Sequence, residues 1–254
     1  MKPDPFRDGP LRGAVREMFN ARADASRAAL KGYIAATPRD PLGHSLSAAV
    51  AFYCFAGNRL RQKSRTSIHE TVLFAGIGVP ADIHEVRSAI QRARALAHID
   101  LEADPLDQNA LVALCIAEGV DRDVLALAYR RWMTSLEHAQ AASLHARRLL
   151  QVNPRAHDAY YVIGLSEYVL SRMPSFLRAF TKIPGVVGQM PRAIQFLEAT
   201  ANGGCYLRDF ARQMLVTIYL EDRKPREAVR ILEDLTRDFT GNAGYRAELE
   251  RLKA

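Results

Sequence analysis

The chain has 254 residues, a formal net charge of +7, and 48% hydrophobic and 25% charged residues. That hydrophobic fraction suits a packed core and excludes disorder as the state of the whole chain. No run approaches the ~20 apolar residues of a membrane-spanning helix, and Met1-Lys2-Pro3-Asp4-Pro5 leads into no apolar signal core, so the chain reads as soluble and cytoplasmic, or periplasmic or exported if a leader was removed.

Taken in chain order, the apolar pattern is helical almost throughout. Val15, Met18, Phe19, Arg22, Ala25, Ala29, Tyr33 and Ile34 recur at the spacing of one amphipathic helix that starts near Leu11 and ends at Thr37-Pro38-Arg39-Asp40-Pro41. A second apolar segment runs from Leu46 through Phe55, with Gly57-Asn58 closing it. Residues 58–82 are less regular, and Thr71-Val72-Leu73-Phe74 reads equally as a short strand or a helical turn. Helix resumes at about Ile83, with Val86, Ile90, Ala93, Leu96 and Ala97 on one stripe, and breaks at Asp104-Pro105. The spacing predicts a helix from Asn109 to Glu118 stopped by Gly119, then a helix pair to about Val152 capped by Asp121 or Asp123. Asn153-Pro154 breaks the chain again. Further helices are expected over His157–Leu170, Pro191–Ala201, Leu207–Glu221 and Pro225–Phe239, with a short one after Asn242.

Breaks of the Asp/Asn-Pro type thus recur at Asp40-Pro41, Asp104-Pro105 and Asn153-Pro154, each between two helices. A lone helical hairpin cannot bury its apolar face, so such punctuation suits a stack of hairpins. The unit at 207–242 carries Leu215 and Tyr219 on its first helix and Ala228, Leu232 and Leu235 on its second. This spacing resembles the tetratricopeptide repeat, although Val216 stands where Gly or Ala is usual and Thr240 where Pro is usual. The preceding unit matches it with Tyr160, Ile163 and Gly164, then Ala193, Leu197 and Thr200, but is longer between its helices by an insertion at about 171–188.

The run from Gly164 to Pro174, followed by Gly185 and Gly188, is similar to a variant tetratricopeptide family of bacterial proteins. It also resembles the mitochondrial outer-membrane proteins implicated in inclusion-body clearance in yeast. The resemblance implies an all-α, right-handed solenoid of antiparallel helix hairpins that acts as a scaffold, and it supplies no catalytic residues. The expected organisation is an N-terminal helical region over 1–82 and helical repeats over 83–254.

Sites for chemistry are incomplete. Cys54, Cys115 and Cys205 are an odd number, far apart, with no C-x-x-C pair, so neither a disulfide framework nor a zinc site is indicated. His69-Glu70 and His84-Glu85 begin like the zinc-protease motif, but Leu73 and Ser88 stand where the second His is required. His138 and His145 lie seven apart with no third ligand nearby, so no metal or other cofactor is expected. Gly76-Ile77-Gly78-Val79-Pro80-Ala81 imitates a dinucleotide-binding turn, yet helix follows where a second parallel strand is needed. The chain therefore reads as a non-enzyme.

In the hairpin architecture the first helix of each unit lines the concave side. Tyr161, Leu165 and Tyr168 in one unit, and Gln213 and Thr217 in the next, are the residues expected to meet a protein or peptide partner. Packing against the neighbouring repeat is the competing role for Tyr161 and Leu165. In the insertion, Phe176, Leu177, Phe180 and Ile183 have nearly helical spacing with Arg172, Arg178 and Lys182 among them, so Phe176, Arg178 and Phe180 join the candidate contacts. The same basic amphipathic pattern allows a peripheral membrane contact. Nucleic acid is the weaker alternative, because no base-reading pair recurs per repeat. The basic run Arg59, Arg61, Lys63 and Arg65 points around a helix axis and reads as a solvated surface.

Overall fold

The computed structural model describes residues 5–6, 9–62, 77–174, 178 and 181–254; side chains of 58 and 60–62 are not described. Among these residues every regular element is helical. The order is α1 Pro10–Phe19, α2 Ala23–Ala36, α3 Pro41–Gln62, α4 Ile83–Ala103, α5 Gln108–Asp123, α6 Trp132–Val152, α7 Asp158–Arg172, α8 Met190–Gly203, α9 Arg208–Glu221, α10 Pro225–Asp238 and α11 Ala243–Lys253. Each helix packs on the next described one, so the chain is a stack of helical hairpins in sequence order.

Small residues let neighbouring helices approach closely. A side chain at Gly164 of α7 would stand 3.1 Å from Leu197 Cγ and 3.1 Å from Phe196 Cβ of α8. The repeat positions of both C-terminal units are interior: Ile163, Ala193 and Leu197 in one, and Leu215, Tyr219, Ala228, Leu232 and Leu235 in the other, are all buried. One continuous core runs from Leu11 to Tyr245 and includes residues on both sides of position 82.

Three boundaries differ from the periodicity; one is the end of the second helix, since α3 runs through Gly57-Asn58 to Gln62. The single helix expected over residues 11–34 is two helices: α1 ends at Phe19, and Ala21 adopts a left-handed conformation with φ 61°. Its amide donates to Met18 O at 3.1 Å and the amide of Arg22 to Glu17 O at 2.9 Å, which satisfies two terminal carbonyls. Gly119 does not stop α5. That helix runs to Asp123 and continues as a π-helical turn over Val124–Ala128; Asp123 precedes that turn without a side-chain capping bond, and Asp121 lies inside the helix. The cap is Asp107, whose side chain accepts from the Ala110 amide at 2.8 Å. Residues 77–80 are loop: Ile77 is buried and its amide donates to Leu127 O at 2.9 Å, while Gly78 has φ 81°. Thr71–Phe74, Gly76, His69, Glu70, Lys63 and Arg65 lie outside the described residues.

The two ends of the stack meet. The Phe19 ring packs edge-on against Phe210 of α9 at 4.8 Å and against Phe239 at 5.7 Å. The Gly241 amide donates to Asn20 Oδ1 at 2.8 Å, Asn242 Nδ2 to Phe19 O at 2.8 Å, and the Tyr206 hydroxyl to Pro5 O at 2.5 Å. An open solenoid has no such contact between its first and last hairpins.

Candidate functional site

Closing the stack leaves a chamber of about 610 Å³ between its helices. Its walls come from α1, the start of α2, α3, α5 with its π turn, α6, α7, α9 and α11. One end is aromatic: Phe210 is flanked by Phe19, by Tyr53 at 4.9 Å and by Tyr161 at 6.3 Å between ring centres. The opposite wall carries Leu136, Ala139, Leu165, Leu170 and Ile183, all buried. Trp132 and Val169, 41% and 38% exposed, stand where the chamber meets solvent.

Five of the eight candidate contacts line this chamber: Tyr161, Leu165 and Tyr168 from α7, and Gln213 and Thr217 from α9. They differ in accessibility. Gln213 is exposed, and its amide donates to the Tyr245 hydroxyl. Thr217 and Tyr161 are half-buried, whereas Leu165 and Tyr168 are buried. The Tyr168 hydroxyl donates to Glu221 Oε2 at 2.8 Å, and burial followed by this acidic partner pushes its pKa up. Arg172 sits over the Tyr168 ring at 5.9 Å and donates to Asp222 Oδ1 at 2.7 Å. Arg178 is exposed, and Phe176, Leu177 and Phe180 lie outside the described residues.

Most polar groups on the chamber wall are already committed within the protein. Ser135 donates to Trp132 O at 2.6 Å, Ser166 to Val162 O at 2.9 Å, and Thr217 to Gln213 O at 3.2 Å. Asp123 accepts from Arg122 Nε at 2.7 Å and from the Tyr53 hydroxyl at 2.6 Å. Burial and the neighbouring Asp123 raise the Tyr53 pKa well above its ordinary value. The sequence reading took Asp123 only for a helix cap and passed over Arg122, because a lone Arg-Asp pair at a helix end carries no pattern of its own.

The other singled-out residues have structural surroundings. His138 Nδ1 stands 2.6 Å from Glu118 Oε2, and Arg94 donates to both oxygens of that carboxylate at 2.6 and 2.7 Å. His145 is half-buried, and burial lowers its pKa. Cys115 is buried, which pushes its thiol up; Cys54 is half-buried on the chamber wall. Arg59 lies over the Phe55 ring at 5.5 Å.

A thermophilic TPR protein of Thermus thermophilus, known from its crystal structure, superposes on the chain with a TM-score of 0.50. The match covers 96% of each chain at 16% sequence identity. The chain has a tetratricopeptide-repeat fold. At that identity the likeness speaks for the fold alone. No protein-family model matches the sequence, and no curated protein matches it significantly. Among the described residues no helix is long and apolar enough to cross a membrane, and no group of three or more His, Cys, Asp or Glu residues is arranged to hold a metal ion.

Proposed function

We propose that the chain is a non-catalytic interaction scaffold that receives a protein or peptide segment at the rim of its chamber. One observation carries the reading: Tyr161, Leu165, Tyr168, Gln213 and Thr217, chosen as concave-side positions, converge on one cavity rather than scattering over the surface. Gln213, Thr217 and Val169 form an accessible edge, with the apolar interior behind it. Helical-repeat proteins use such concave surfaces for partners. Arg178 and the aromatic residues Phe176 and Phe180 of the insertion belong to the same proposed contact. The Gly164–Pro174 run supports placing the chain with the variant tetratricopeptide type that resembles the inclusion-body-clearance proteins. A cytoplasmic location accords with the absence of a spanning helix among the described residues.

Photo-crosslinking tests the reading. A benzophenone side chain at Thr217 should give discrete adducts with another polypeptide in native lysate, and the same group at exposed Ala29 of α2 should not. Equal labelling from both positions, or none from Thr217, contradicts it. Membrane contact is the second reading and rests on the basic residues Arg178 and Lys182 of the insertion; anionic vesicles that compete for the adduct would favour it.

A further inference from the structure

Besides Arg172 Nε, the chamber wall holds donors of Arg122 and Tyr161 that the fold leaves unused. Arg122 is 9% exposed and lines the cavity. Among the described residues its Nε has an acceptor, Asp123 Oδ1 at 2.7 Å, and its two Nη groups have none. The Tyr161 hydroxyl on the same cavity also has no hydrogen-bond partner among the described residues, and its ring stands 6.3 Å from Phe210, which also packs at 4.9 Å against Tyr53, the residue whose hydroxyl donates to Asp123 at 2.6 Å. Facing the cavity, these donors are open to a ligand oxygen, which would gain hydrogen bonds from them.

We propose that the inner chamber binds one long-chain acyl lipid with a neutral ester or amide head, its carbonyl oxygen accepting from Arg122 Nη and from the Tyr161 hydroxyl. The inference stands on the cavity and goes beyond the partner reading. Three features select this ligand. A volume of about 610 Å³ falls within the ~300–1,000 Å³ of small-molecule sites. An extended peptide in the interior would need partners for its backbone amides and carbonyls, but Ser135, Ser166, Tyr53 and Tyr168 already donate elsewhere. A hydrocarbon chain makes no such demand, and Leu136, Ala139, Leu165 and Leu170 offer it an apolar wall. Charge then fixes the head. Asp123 already balances Arg122, so a carboxylate would add an uncompensated buried negative charge, whereas a carbonyl uses the free donors without one.

The test uses the full chain, stripped of lipid and loaded from cyclodextrin with methyl oleate, oleamide or oleate, and read by native mass spectrometry. Methyl oleate and oleamide should each bind one per chain, with oleate at pH 7.5 at least about tenfold weaker. Tyr161→Phe, which removes only the hydroxyl, should weaken both neutral ligands about tenfold at unchanged melting temperature. Val169→Trp should abolish binding of both by filling the entrance from an exposed position. The proposal fails if neither neutral ligand binds at one per chain, if oleate binds as tightly, or if folded Tyr161→Phe or Val169→Trp binds like the wild type. Arg122→Met is a supporting variant only where circular dichroism shows it folded, since it also removes the counter-charge of Asp123.

Discussion

Two carboxylates show how single residues stabilise this fold. Glu118 is 7% exposed, and burial alone would raise its pKa. The hydrogen bonds from His138 and from Arg94 outweigh that effect and hold it below the ordinary 4.5. A carboxylate with a depressed folded pKa contributes stability that is present above its unfolded pKa and lost as pH falls through the folded value. Glu118→Gln should therefore be less stable than the wild type at pH 7, and the gap should narrow below about pH 4.5 in urea titrations. A constant gap down to about pH 3.5 would dissociate Glu118 from the acid limb. Asp158 is the counterpart at the start of α7: it accepts the amides of Cys205, Tyr206 and Leu207 at 3.0, 3.0 and 2.6 Å and so fixes the approach to α9. Neither role is legible in the sequence. Glu118 meets Arg94 and His138 from two other helices, and Asp158 grips a loop nearly fifty residues away, so their neighbours in the chain say nothing of their partners.

At the scale of elements, the helices with strong punctuation were legible and those with weak punctuation were not. Asp104-Pro105 and Asn153-Pro154 end α4 and α6 because proline cannot continue a helix and biases the residue before it away from helical backbone. The turn between α1 and α2 has no such mark. Ala21, a good helix former, takes left-handed backbone there, and Arg223 does the same between α9 and α10 with φ 57°. The hydrogen bonds repeat as well: Lys224 N donates to Tyr219 O at 2.7 Å, as Arg22 N does to Glu17 O at 2.9 Å. Two hairpins thus share a turn geometry that glycine ordinarily marks, without glycine in either. The connection from α7 to α8 is held differently. Glu167, fully buried, accepts the amides of Gly188 and Gln189 at 2.7 and 2.9 Å and that of Val187 at 3.2 Å, with Arg192 Nε at 3.3 Å. Gly188 is needed there, since its φ is 74° and a side chain would come within 3.0 Å of Leu170 Cβ. Glu167→Ala leaves three amides without their acceptor and should cost about 3 kcal/mol or more in denaturant unfolding. A loss under about 1 kcal/mol would show that this carboxylate does not anchor the loop.

At the scale of the molecule, hairpin stacking follows from the local pattern, but closure does not. Leu215, Ala228 and Leu232 announce packing between neighbours, which period and residue size encode. The meeting of Phe19 with Phe210 and Phe239 depends on the superhelical path of the whole stack, which no window of sequence contains. The same holds for the chamber: Tyr161 and Gln213 were legible as concave-side positions, whereas Arg122 and Asp123, at the end of α5 just before the π-helical turn, were not. Closure gives a long-range prediction. Asn242 caps α11 through the Gly244 amide at 3.1 Å and holds Phe19 O at 2.8 Å. Asn242→Ala should cost about 1–2 kcal/mol and speed amide exchange in α1 as well as in α11; faster exchange in α11 alone would mean that the ends are not coupled. The central claim, that the chamber rim is the working surface, is tested most directly by partner capture with Gln213→Arg and Thr217→Arg combined. Both positions are accessible, so the melting temperature should hold within a few degrees. The account predicts that the polypeptide crosslinked from Thr217 in the wild type is no longer captured by this variant; undiminished capture by a stably folded double variant would contradict it.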